Sequence, residues 1–267
     1  MSSGTGRVVL VTGAARGIGA ATARALARDG WAVVAVDRAC DDPRLPYPMG
    51  SRDELDAVVT AIQDDGGQAV AVAADAVDAH AMAQAVGLAR SRFGGLDAVV
   101  AAAGVIAGGV PLWQMPADQL AAVLEVNLMG AVVAARTAIS AILARPQPRS
   151  GRFVAVASAA AHRGLPLLAA YCAAKAGVTG LVRGLATELR GSGVTANSVS
   201  PGSTDTPILT ESARLYGLPT AQHFAAQQPI ERLIHPGEVA AAISYLLSPQ
   251  AAAVTGTDLP VDGGLSL

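Results

Sequence analysis

The stretch Thr12-Gly13-Ala14-Ala15-Arg16-Gly17-Ile18-Gly19 decides how this chain folds, because an apolar run (7–12, RVVLVT) leads into it and an Ala-rich run (20–28) leaves it. A glycine turn between a strand and a helix lets backbone approach a pyrophosphate at the helix N-terminus, where unpaired N–H groups and the helix dipole favour an anion. The spacing of Gly13, Gly17 and Gly19 differs from the commoner G-x-G-x-x-G. The strand before and the helix after therefore carry as much of the inference as the glycines. Gly13, Arg16, Gly17, Ile18 and Gly19 are the first candidate cofactor contacts.

Outward from this turn the same alternation continues. Further β-branched or apolar runs at 31–36, 69–73, 98–101, 152–157, 195–199 and 258–260 are interleaved with helix-period stretches at 20–28, 52–63, 117–143, 169–189 and 236–247. Strand-helix alternation predicts an α/β fold, a Rossmann-type doubly wound parallel sheet of seven strands, with 1–267 as a single domain. Two segments break the rhythm. Residues 39–51 (ACDDPRLPYPMGS) hold three prolines and predict an irregular surface loop inserted after the second strand. Residues 203–235 form a long late connection, expected to act as a substrate lid.

Composition narrows the function. With 52% hydrophobic residues the chain can bury a large core, and 19 basic against 21 acidic residues leave a net charge of −2. That balance gives no electrostatic footprint for nucleic acid or an anionic membrane, so small molecules or copies of the chain are the expected partners. The N-terminal Met1–Gly6 lacks the charged-then-apolar order of a secretory signal, and a cytoplasmic location is expected. The apolar stretch 98–112 is interrupted by glycines and a proline and is shorter than the roughly 20 residues of a membrane helix, so no span is expected. Cys40 and Cys172 read as free thiols, and His80, His162, His223 and His235 are too scattered for a metal site.

Asp37 closes the second apolar run, 18 residues beyond Gly19. A carboxylate at about that distance accepts hydrogen bonds from adenosine ribose hydroxyls, and it would repel the extra phosphate of NADP. NAD is thus the expected cofactor. Arg16 and Arg38 are the opposing signal, since either could pair with a 2′-phosphate, and they keep open an NADPH-dependent 3-oxoacyl-type reductase. Asp75 and Ala76, after the third strand, are candidates for holding the adenine.

The proton-transfer candidates are Tyr171 and Lys175 in Tyr171-Cys172-Ala173-Ala174-Lys175. Four residues apart on a helix, they share one face, and an ammonium beside a phenol favours the phenolate. A Y-x-x-x-K pair alone is common by chance, but this chain has 18 arginines and one lysine, and that lysine stands here. A compact ammonium reaches a ribose hydroxyl and a phenol together, whereas a planar guanidinium is larger and aims its donors in fixed directions. Ser158 follows the strand 152–157 and so lies at a carboxyl-terminal strand edge, where open α/β sheets bind ligands. Cys172 points about 100 degrees away around the helix and reads as a packing residue. His162 reads as a solvent-exposed loop residue, and a Ser158, Asp205, His162 hydrolase triad lacks the G-x-S-x-G elbow.

Taken together, TGAARGIG, Asp37, Asn127 in LEVNLMG, Ser158, YCAAK and PGSTDT (201–206) resemble the short-chain dehydrogenase/reductase family over essentially the whole chain. The resemblance implies hydride transfer between a carbinol or carbonyl carbon and a nicotinamide ring. It also implies that Ser158 orients the substrate oxygen, Tyr171 exchanges its proton, Lys175 holds the nicotinamide ribose and lowers the tyrosine pKa, and Asn127 supports a water-linked proton relay. Pro201, Gly202 and Thr206 would line the nicotinamide, with Thr204 offering its backbone.

Where the family commonly has Asn-Ala-Gly, this chain reads Ala101-Ala102-Ala103-Gly104, so Ala103 and Gly104 still permit close approach while an amide is missing. The insert and the ending VDGGLSL are similar to actinobacterial members that include carveol-dehydrogenase-like and mycofactocin-associated enzymes. Those imply NAD held tightly and reoxidised in place by another redox carrier. The family also implies a homo-oligomer, dimer or tetramer, through helices such as 117–143 and 169–189. Apolar residues across 207–226 suggest a hydrophobic secondary alcohol or ketone as substrate. The alternative from another class, a non-catalytic NAD-binding sensor or scaffold, has no need of the Ser158, Tyr171 and Lys175 set.

Overall fold

The computed structural model describes residues 6–267, so the N-terminal reading lies outside the described residues except at Gly6. Seven parallel strands stand in the order β3-β2-β1-β4-β5-β6-β7: β1 (Val8–Thr12), β2 (Ala32–Asp37), β3 (Ala69–Ala73), β4 (Ala98–Ala101), β5 (Gly151–Val156), β6 (Val194–Pro201) and β7 (Asp258–Val261). Every residue of β1, β4, β5 and β6 is buried, because helices cover both faces of the sheet. The strand period of two then sorts the core. Val8, Leu10, Val34 and Val99 pack toward one helical layer, and Val9, Val11, Val33 and Val100 toward the other.

The first layer holds α3 (Ala79–Phe93), α5 (Gly130–Leu143) and α6 (Ala169–Glu188), through residues such as Met82, Ile142 and Val178. The second holds α1 (Gly17–Arg28), α2 (Arg52–Asp64) and α8 (Pro236–Leu247), through Leu26, Leu55 and Ile243. Helix α3 is not among the stretches that periodicity marks, since alanine carries its inner face. Its ends are nonetheless signalled locally: Asp78 accepts from His80 N–H (2.9 Å) and Ala81 N–H (3.1 Å), and Gly94 ends it with φ of 81°.

The expected helix 117–143 is divided. α4 (Ala117–Leu124) passes through one turn of π-helix (Glu125–Met129) into α5. By length and a mean hydropathy of 1.7, Ala117–Leu143 could cross a membrane, but half of that window is buried inside the fold, as in a core helix. The late connection is structured too, with α7 (Pro207–Leu215) and a short 3-10 turn (Ala221–Gln227). Its two ends are fastened together by a parallel bridge at Thr204 and Ile234, with Asp205 N–H donating to Ile234 O (2.9 Å) and Ile234 N–H to Ser203 O (3.0 Å).

The insert 39–51 is irregular, and Cys40, Asp41, Pro43, Pro46, Pro48 and Ser51 are exposed as expected of a surface loop, but its other face is not at the surface. Asp42, Leu45 and Gly50 are buried, and Leu45, Tyr47 and Met49 pack with Val105, Ala122 and Ala174. Prolines rule out a regular helix or strand without deciding whether a segment faces water.

Candidate active site

Strands β1 and β4 are neighbours although their connections leave in opposite directions, and this switch point opens a crevice at the carboxyl ends of the strands. The crevice is a cavity of about 590 Å³, and every site residue expected from the sequence lines it. Gly13, with φ of 66°, takes a left-handed conformation, and a Cβ there would lie 2.8 Å from Ala103 Cα. A Cβ on Gly19 would lie 2.0 Å from Gly13 O. Helix α1 begins in this turn with Arg16 extended at its N-cap, no side chain capping it and no acid in its first turn. Uncapped N–H groups at the end of a helix dipole, with no side chain filling the approach, suit a pyrophosphate. Gly19→Ala is expected to destabilise the fold by about 3 kcal/mol, a fall in Tm of about 5–10 °C, measurable by thermal unfolding.

At the β2 and β3 end, Asp37 accepts from Ala15 N–H and Ala39 N–H, both at 3.0 Å. The two arginines that could have met a 2′-phosphate are engaged elsewhere. Arg16 donates to Pro48 O of the insert (2.7 Å), and Arg38 pairs with Asp42 (2.6 Å) and faces Asp75 (3.6 Å). Asp42 is 2% exposed and also receives Arg44, whose hydrogen bonds hold its carboxyl well below the usual range. Arg44 reaches onward to Glu125 (2.5 Å), and Tyr47 accepts from Ile106 N–H (2.8 Å). The insert is thereby laced to the glycine turn, to the π-helical turn and to the segment that follows β4. Gly50 sits so close over Asp37 that a Cβ would lie 3.1 Å from its Oδ1.

Past β4, Thr12 Oγ1 accepts from Ala102 N–H and Ala103 N–H, both at 3.1 Å, so those backbone donors have a partner without the family asparagine. Asn127 stands in the π-helical turn, a distortion that recurs at functional sites. Its side chain accepts from Val105 N–H (3.2 Å) and donates to Val105 O (2.9 Å) and Val123 O (2.8 Å). The amide is thus consumed in fixing the chain after Gly104, where a Cβ would meet Asn127 Oδ1 at 3.0 Å and Lys175 Nζ at 3.7 Å.

Ser158 follows β5 and caps a short 3-10 turn, its Oγ accepting from Ala160 N–H (3.1 Å) and facing the Tyr171 hydroxyl. Lys175, one turn along α6, is 4% exposed, donates to Val156 O (2.8 Å) and lies 5.7 Å from the centre of the Tyr171 ring. Burial pushes the tyrosine up to about 12, against a downward pull from Ser158, and brings the lysine down to about 8. Desolvation disfavours charge on both groups, and Ser158 is what draws the phenol down.

Along β6, Gly202 tolerates no side chain, since a Cβ would lie 2.4 Å from Gln228 Oε1 and 2.7 Å from Asp262 O. Gln228, 1% exposed, holds the PGSTDT segment by accepting from Ser203 N–H (2.8 Å) and donating to Arg232 O (2.7 Å). Thr206 touches the glycine turn across the cavity, 3.3 Å from where a Gly17 Cβ would stand. The remaining wall is apolar, with Ile106, Leu168, Ile208 and Phe224 among its residues, and Tyr216 donates to Pro166 O (2.6 Å). Arg163 and Leu265 line the cavity and Gln228 braces its wall from behind, without any spacing signal that would have found them.

Other candidates lie apart. His162 Nε2 is 2.6 Å from Asp258 and does not line the cavity, so Ser158, His162 and Asp205 form no triad. Cys172 Sγ accepts from Leu165 N–H (3.5 Å) and is a free thiol, as is Cys40. Among the described residues no group of three His, Cys, Asp or Glu side chains could hold a metal ion.

Comparison with known proteins agrees along the chain. A family model described as enoyl-(acyl carrier protein) reductase matches residues 13–266. The cis-4-hydroxycyclohexanecarboxylate dehydrogenase of Sinomonas cyclohexanicum is 39% identical over 260 residues, covering 97% of this chain and 96% of that protein. The carveol dehydrogenase of Mycobacterium avium, solved with NAD, superposes with a TM-score of 0.90 at 28% identity, covering 97% of each chain. An actinorhodin polyketide ketoreductase variant, solved with NADPH, superposes with a TM-score of 0.89 at 30% identity, covering 100% of this chain and 99% of that one.

Proposed function

The chain belongs to the short-chain dehydrogenase/reductase family, and from that premise we propose that it interconverts a hydrophobic secondary alcohol and its ketone with NAD(H). The observation that carries this reading is the meeting of Ser158, Tyr171 and Lys175 in the cavity that also holds the glycine turn and Asp37. Bound NAD would supply the carbon that takes or gives the hydride. The glycine turn would hold its pyrophosphate, Asp37 its adenosine ribose, Asp75 and Ala76 its adenine, and Lys175 with Pro201, Gly202, Thr204 and Thr206 its nicotinamide end.

Ser158 donates its hydroxyl to the substrate oxygen while its own Oγ accepts from Ala160 N–H. Tyr171, kept protonated by burial, gives its proton to that oxygen during ketone reduction and takes it back during alcohol oxidation. Lys175 keeps two N–H donors beyond the one committed to Val156 O, and its charge is the local compensation for a phenolate. Asn127 acts by fixing the backbone around Gly104.

NAD rather than NADP is favoured by Asp37 together with the engagement of Arg16 by Pro48 O and of Arg38 by Asp42 and Asp75. Freeing either arginine to meet a phosphate means breaking a made interaction. Turnover with NADH is expected to exceed that with NADPH by about a hundredfold in kcat/KM, the worth of a like-charge contact in a partly desolvated site. A preference for NADPH in steady-state assays overturns the cofactor assignment.

Our reading extends to cofactor exchange. The insert laced by Arg16, Arg44 and Tyr47 supports NAD that stays bound between turnovers, with an external redox carrier reoxidising NADH in place. Nucleotide released by denaturing the purified protein is expected to be near stoichiometric, and Arg44→Ala to raise its exchange rate about tenfold, the worth of one partly buried charged hydrogen bond. We also take the enzyme to be a cytoplasmic homo-oligomer, supported by the apolar, half-exposed α4–α5 run. Light scattering that finds only monomer removes that assembly.

A further inference from the structure

We propose that the substrate carries a carboxylate remote from the carbon that reacts, and that Arg163 is the residue that recognises it. The inference rests on the alcohol–ketone reading above and adds a substrate class to it.

The charges that line the cavity are divided by the sheet. Asp37, Arg38, Asp42 and Asp75 all lie at the β2 and β3 end, where the acids and the arginine answer one another, and Arg16 at the glycine turn beside them is held by Pro48 O. On the opposite side, beyond β5, the lining is apolar except for Gln227, hydroxyl groups and the charged pair Lys175 and Arg163. Lys175 is already committed to the reacting end. Arg163 stands at the mouth, on the segment between Ser158 and α6, and no carboxylate of the described residues pairs with it.

Its placement is built. One nitrogen, Nη1, donates to Leu265 O (2.7 Å), and its backbone N–H donates to Ala159 O (3.0 Å). Leu265 is in turn fixed by a tight C-terminal turn in which Leu265 N–H donates to Asp262 O (3.0 Å) and Gly264 N–H to Asp262 Oδ1 (3.0 Å). A guanidinium has five N–H donors in one plane, so anchoring it by one leaves the rest of the fork for a carboxylate. Holding the fork in advance lowers the ordering cost of binding. The absence of any acidic lining residue on this side means that an arriving anion meets no opposing charge.

Arg163 is exposed, which sets the size of the effect. A hydrogen-bonded charge at a wet rim discriminates between carboxylate and neutral isostere by about two- to fivefold, below what a buried pair gives.

The test compares cyclohexanecarboxylate with the neutral cyclohexanecarboxamide by isothermal titration calorimetry on the purified protein with NAD present. The carboxylate is expected to bind about threefold tighter. Arg163→Gln should bring the ratio near one, Arg163→Lys should retain part of it, and Arg24→Gln, a surface change on α1, should leave it intact. A second arm measures kcat/KM for 3- and 4-hydroxycyclohexanecarboxylates against the corresponding hydroxy amides and cyclohexanol. A ratio near one in the wild type, or one undiminished in Arg163→Gln, overturns the proposal. Turnover of neutral alcohols with no preference for acids removes the carboxylate and leaves the alcohol–ketone reading standing. Arg163-dependent carboxylate binding without turnover of any alcohol does the reverse.

Discussion

Tyr171→Phe is expected to bind NAD as the wild type does and to lose about 10³-fold in turnover, the usual worth of a positioned proton donor. The substitution removes one hydroxyl from a ring whose packing against the cavity wall is otherwise kept. The phenol is the group best placed to exchange a proton with the substrate oxygen, because Ser158 faces it and Lys175 lies one turn below. Burial that pushes Tyr171 up to about 12 keeps the phenol protonated and makes it a weaker acid, so the same hydroxyl is the donor in one direction and, once deprotonated, a strong base in the other. The loss should therefore appear in kcat in both directions, with the affinity for NAD, read by fluorescence titration, unchanged. Undiminished turnover in this variant removes the phenol from the mechanism.

Lys175→Arg keeps the charge and is expected to lose at least a hundredfold in activity. The ammonium is packed against Gly104 and Val156 O at a position with 4% exposure, and a longer planar fork cannot enter without displacing one of them. A companion result separates stability from chemistry. Because the folded pKa of about 8 lies below the unfolded value of about 10.4, the folded chain holds this proton less tightly. Burying the charged form costs roughly 3 kcal/mol, offset by about 1 from the bond to Val156 O.

Lys175→Met, free of nucleotide, is accordingly expected to be inactive yet more stable than the wild type by about 2 kcal/mol at pH 7. That gap should close as pH rises from about 8 to about 10.4, since the wild type gains stability across this window and the methionine variant does not. Thermal unfolding at several pH values reads it, and a wild type that is the more stable protein at pH 7 contradicts it. The only lysine of the chain is a strained resident, retained for what it does rather than for what it holds together.

Much of this was legible in residue order because the features are local. A glycine turn, an acid closing a strand and a tyrosine one helical turn from a lysine each depend on neighbours in sequence, and each arrives in the cavity where expected. What escaped depends on contacts made at long range. The inward course of the insert is set by Arg44 meeting Glu125 and by Tyr47 meeting Ile106, partners that no spacing reveals. Gln228 and Arg163 act through backbone carbonyls and N–H groups brought to them by the fold. The π-helical turn escaped because hydrophobic period does not register one extra residue in a helix. The burial of Tyr171 and Lys175 escaped because a motif names the charged neighbour and leaves out the solvent that both groups lose.

The bridge between Thr204 and Ile234 has a consequence for how such an enzyme changes over generations. Both ends of the late connection are sewn to one point beside the sheet, so what lies between them forms a cassette whose length and contents can be exchanged while the glycine-turn half keeps its shape. New substrates would then be acquired by trading that one segment, and the graft of a relative's cassette between these two residues is the natural unit of redesign.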